Sequence, residues 1–113
     1  MKSLTIADLQ SNVKDLMKAH NFSRNPFERA AHLSTETGEV IKALILLQAL
    51  PAPDDKISEI AQKDCKEELG KEIFDLIWNA LAIAEVTGVS IEDAMRSKMK
   101  ENKTRKFRTT IKR

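Results

Sequence analysis

Leu33-Ser34-Thr35-Glu36-Thr37-Gly38-Glu39-Val40 and Glu72-Ile73-Phe74-Asp75 decide how this chain reads. Each stretch carries two carboxylates three residues apart inside a strongly apolar run. At about 100° per helical residue, both members of a pair project from one side of their helix. A globular helix keeps its acids on the wet face, whereas these border stripes that must be buried. Two such helices packed face to face bring Glu36, Glu39, Glu72 and Asp75 into one pocket. Four negative charges at close range repel unless protons or cations neutralise them. A hard divalent ion that prefers oxygen ligands suits them, magnesium first and manganese second.

The surrounding pattern is helical. Three glycines, three prolines and no tyrosine leave few hairpin turns, while apolar residues recur every three to four positions. Thr5 with Asp8 predicts a capping box opening a first helix whose apolar side is Leu9, Val13, Leu16 and Met17. Asn25-Pro26-Phe27-Glu28 predicts the next start, with Asn as cap and Pro at the first helical position. That second helix runs to about Leu50, with Leu33, Val40, Leu44 and Leu47 as its stripe, and stops at the Pro-rich linker 51–55. Residues 56–63 form either a short helix or the lead-in to the next. The third helix spans about 64–86, and Gly88 suits a left-handed cap. Glu68, Glu72, Asp75 and Asn79 fall within about 60° of its wheel. Ser90 with Asp93 predicts a second capping box, opening a fourth helix to about Arg105. Its inward stripe begins with Ile91, Ala94 and Met95 and continues as Lys98, Asn102 and Arg105, where apolar residues would be expected. The sum is an all-α, four-helix, bundle-like single domain over 1–113, with a basic, mobile tail at 108–113.

Composition narrows the classes further. A chain of 113 residues buries roughly two-thirds of its unfolded surface, enough for a modest core. Net charge is only +2, so there is no global case for a nucleic-acid binder, although nine Lys/Arg face the single acid Glu101 from Arg96 onward. Cys65 is the only cysteine, which excludes an intrachain disulfide and a thiolate metal site. No apolar run approaches the ~18 residues of a membrane span, and the N-terminus has no apolar leader core. A reduced, cytoplasmic protein is expected. Neither a Ser-His-Asp nor a Cys-His arrangement is readable, and the absence of Glu-x-x-His pairs argues against a di-iron bundle.

Leu33-x-x-Glu36-x-Gly38-Glu39-Val40, Glu72-x-x-Asp75-x-x-Trp78 and Lys98-x-x-x-Asn102-x-x-Arg105 together resemble the MazG-like nucleoside triphosphate pyrophosphohydrolases, over about residues 26–107. The resemblance implies an all-α fold completed by oligomerisation, as a homodimer or homotetramer. It implies Glu36, Glu39, Glu72 and Asp75 as catalytic magnesium ligands, with Lys98, Asn102 and Arg105 near the phosphates of the substrate. The implied reaction converts a nucleoside triphosphate to the monophosphate and pyrophosphate with a metal-activated water, in nucleotide-pool clearance. Two departures stand out. Thr35 occupies a position where many members carry another glutamate, which leaves water activation to Glu36 or Glu68. The insertion at 51–63 separates the two acidic motifs widely and bears on the nucleobase side.

Acids three residues apart are common on solvated helix faces, so the weight rests on their order and on the later Lys/Asn/Arg set. His32 reads as a half-buried structural histidine rather than a phosphate contact. Trp78 and Phe74 read as core or interface, and Cys65 as a small buried hydrophobe. Glu68 is either a site acid or a salt-bridge partner, and Asn79 either a site amide or a buried one bonded to backbone. The competing function is a non-catalytic helical dimer that binds nucleic acid or a protein through its basic C-terminal helix and tail.

Overall fold

Four cap residues set where the helices begin. In the computed structural model, which describes residues 3–106, α1 spans Ile6–Ala19, α2 Pro26–Gln48, α3 Lys56–Thr87 and α4 Ile91–Thr104. The expected tail at 108–113 lies outside the described residues. Thr5 and Asp8 close a reciprocal capping box. Asn25 Oδ1 accepts from the backbone N–H groups of Phe27 and Glu28 ahead of Pro26. Ser90 Oγ accepts from Asp93 N–H, so only the serine half of the second predicted box forms. Asp55, at the end of the linker, caps α3 by accepting from Ser58 N–H at 2.8 Å. That cap settles residues 56–63: they are the first turns of one 32-residue helix. Gly88 closes α3 at φ 73°, in the left-handed region, as its position after Thr87 predicts.

Glu36 of α2 meets Glu72 and Asp75 of α3, while Ala43 and Leu46 meet Cys65 and Glu68 across a small cavity. The two long helices therefore run antiparallel as a hairpin. α1 packs on the C-terminal half of α3, where Val13 and Met17 join Leu81 and Ala82 in the buried core. Leu9, Trp78, Val86 and Ile91 close over that cluster. α4 turns from α3 by 109° and rests on α1. Gln10 of α1 clamps this corner, donating through Nε2 to the Val89 carbonyl at 2.7 Å and accepting from Ile91 N–H at 3.0 Å. All of the described secondary structure is helical, and the all-α, bundle-like expectation holds.

The core is small and lies at one end. Along the hairpin, Ile41, Leu44 and Ile45 of α2 and Ile73, Phe74 and Ile77 of α3 are each more than 40% exposed. The latter three continue Gly70 at helical spacing, and Gly38 sits one turn before Ile41. Among the described residues, no single helix is long and apolar enough to cross a membrane.

Candidate metal centre

The site is built where the hairpin's inner faces meet. On α2, Glu36 follows Leu33 and precedes Val40, both half-buried, so its carboxylate is carried to the edge of the α2/α3 seam. On α3, Glu72 and Asp75 flank the same seam, one helical turn apart. One carboxylate oxygen from each of Glu36, Glu72 and Asp75 lies within 4.8 Å of the others. Glu36 and Glu72 are half-buried, and Asp75 is exposed.

Burial raises the Glu36 pKa above the ordinary 4.5, and the negative charges of Asp75, Glu72 and Glu39 push it further. His32, one turn before it, works in the opposite direction. A proton or a cation placed among these carboxylates would relieve their mutual repulsion. Oxygens around one magnesium ion stand about 3–4 Å apart at its usual bond lengths. Small rotations of three carboxylates reach that spacing, and a donor set of carboxylate oxygens alone is chemically suited to magnesium or manganese. The residues fit the ion.

Glu39 belongs to the field but not to the close trio: it is exposed, and its charge still acts on Glu36. Lys98, Asn102 and Arg105 lie elsewhere. All three are exposed on or just after α4, a helix whose main packing partner is α1. Lys98 Nζ is 3.4 Å from Glu101 Oε1. The stripe expected to run inward along α4 is therefore a solvent face of this chain beyond Ile91. A helix needs only its first turns buried to anchor, and the 109° corner carries the rest away from the hairpin.

Several secondary readings resolve. Glu68 pairs with Lys71 at 3.2 Å, both side chains largely exposed. Asn79 is buried and donates through Nδ2 to the Asp75 carbonyl at 2.9 Å. Trp78 packs on the core and makes a T-shaped pair with Phe22, ring centroids 6.0 Å apart, whereas Phe74 is 44% exposed. Cys65 is half-buried beside the small cavity. His32 is exposed, not half-buried as expected, because the α2/α3 seam passes along Leu33 and Glu36 and leaves position 32 outside. Sequence reasoning also passed over Arg29, which is buried on α2 with its guanidinium against the Phe22 ring. Its signal was the seven-residue interval to Glu36, which returns to the same helix face.

Comparison with known proteins gives one extended likeness. No family model matches the chain, and no solved structure matches it. The uncharacterized protein YvdC of Bacillus subtilis (strain 168) is 31% identical over 106 residues, covering 92% of this chain and 97% of that protein. With that identity over nearly the full length of each, this chain belongs to the same family as YvdC.

Proposed function

We propose that the protein is a magnesium-dependent nucleotide pyrophosphohydrolase that converts (d)NTP to (d)NMP and pyrophosphate. The observation that carries this reading is the convergence of Glu36, Glu72 and Asp75 from two helices. Its order along the chain is also that of the MazG-like enzymes the sequence resembles. A bound divalent ion would supply Lewis acidity at the phosphates and lower the pKa of a coordinated water. Glu36, Glu72 and Asp75 would hold it, with Glu39 adding negative charge alongside.

The remaining chemistry belongs to the chain. Water oxygen forms a bond to the α-phosphorus, the α–β bridging bond breaks, and pyrophosphate leaves with that bond's electron pair. The water proton passes to a carboxylate. Glu36 is the acceptor proposed, because it stands within the carboxylate trio and Thr35 supplies no carboxylate beside it. Glu68 is the weaker candidate, being paired with Lys71 and largely exposed.

The same reading includes assembly. The unpartnered apolar stripes beside the carboxylates suit a second copy of this chain, giving a homodimer or a homotetramer. Incubation with each (d)NTP and magnesium, followed by product analysis, tests the activity. Monophosphate and pyrophosphate in equal amounts are expected. No turnover of any nucleotide, or orthophosphate as the sole product, would count decisively against it.

A further inference from the structure

α2 buries a cation on the helix face that carries Glu36. Arg29 is only 6% exposed, and its Nε is buried with no hydrogen-bond partner. Among the described residues its charge is met only by the Phe22 ring, 5.8 Å from the guanidinium carbon. A guanidinium carries five N–H donors and does not shed its proton. Burying it without an anion is unfavourable, and an aromatic face offsets only part of that.

Position gives the missing anion a place. Arg29 precedes Glu36 by two turns, which puts the two within about 20° on the wheel and roughly 10 Å apart along α2. Because α3 runs antiparallel, the same direction on it leads from Asp75 to Asn79, one turn on and 8% exposed. Asn79 spends one N–H on the Asp75 carbonyl and keeps the other. By helical rise the carboxylates come first, then the Asn79 amide on α3 and the Arg29 guanidinium on α2. That is a cation-holding end followed by anion-holding donors.

We propose that Arg29 is an anion-binding residue of this helix face, taking phosphate oxygens of a polyphosphate-bearing ligand whose metal sits on Glu36, Glu72 and Asp75. The ligand's class rests on the nucleotide reading above. A polyphosphate chain and the length of the arginine side chain together span the rise between the two ends. The planar guanidinium fork suits two oxygens of one phosphate.

The test is binding of inorganic tripolyphosphate, at a fixed excess of magnesium, to wild type, Arg29→Met and Arg29→Lys. Calorimetry and thermal melting are read together. Arg29→Met is expected to weaken binding by about ten- to a hundredfold while keeping the rise in Tm that magnesium alone produces. Arg29→Lys retains the charge but loses the fork and is expected to fall between the two. It also carries the test if the Met variant does not fold. Wild-type affinity in either variant, with or without a lower Tm, makes Arg29 a packing residue and overturns the inference. An altered oligomeric mass with unaltered tripolyphosphate affinity overturns it too, assigning the anion to a carboxylate of a second copy. The readout needs no turnover. Arg29-dependent binding without nucleotide hydrolysis would sink the pyrophosphohydrolase reading and leave this one standing. Hydrolysis with Arg29-independent binding would do the reverse.

Discussion

Glu36 carries the tension of the fold at the scale of one residue. Its pKa in the folded chain lies above the ordinary 4.5, through burial first and then the charges of Asp75, Glu72 and Glu39. Between the unfolded and folded values the native state binds more protons, so stability falls as pH rises through that window. Glu36→Gln removes the titrating group at nearly constant volume. The metal-free variant is expected to melt higher than wild type above the window and to lose much of this fall, which melting curves on both sides of it would read. Magnesium is expected to raise the wild-type Tm and to do so more strongly as Glu36 deprotonates. Asp75→Asn should abolish that rise, whereas Glu39→Gln, outside the close trio, should only reduce it. An undiminished response in Asp75→Asn would remove that residue from the ligand set.

At the scale of elements, helix starts are local chemistry, and three of the four were readable as Thr5, Asn25 and Ser90. Asn25→Ala is expected to cost about 1 kcal/mol, because two N–H groups of α2 lose their acceptor; chemical denaturation measures it. In the sequence Asp55 is simply part of the linker, since nothing in Pro51-Ala52-Pro53-Asp54-Asp55 says which aspartate turns inward to cap. The hydrogen bond from the Ser58 N–H holds the Asp55 pKa below 3.8. Its contribution is present at neutral pH and is lost only as pH falls through that lowered value, the opposite sense to Glu36. The length of α3 follows from the cap. With Asp55 in place, 56–63 have no reason to form a separate helix.

The whole molecule is more open than its length warrants. Its radius of gyration is 17.8 Å, against about 13 Å for a compact domain of this size. Its accessible surface of 9251 Å² exceeds by roughly half the ~6,300 Å² expected from its mass. The surplus includes the stripes of Ile41, Leu44 and Ile45 and of Ile73, Phe74 and Ile77, which belong to the proposed interface between copies. Ile73→Asp is expected to halve the mass found by sedimentation while leaving helix content unchanged. Gly70 offers a sharper sign test. A Cβ there meets nothing within 4 Å in the single chain, so Gly70→Ala in a monomer would gain up to about 1 kcal/mol of helix propensity. Close packing of a second copy reverses that sign, and a lower melting temperature is the outcome expected here.

Sequence alone determined the helical class, three of the four caps, the Gly88 terminus and the spacing that sets each acidic pair on one face. Those are properties of periodicity and of backbone groups satisfied within a few residues. Only the tertiary structure decided which acids meet. It brought Glu36 to Glu72 and Asp75, left Glu39 outside that trio, and left Lys98, Asn102 and Arg105 exposed on or just after α4. It also buried Arg29 of α2 against the Phe22 ring. The register of α2 against α3 and the corner at Gly88 depend on how side chains far apart in the chain fill common space. No local pattern encodes that.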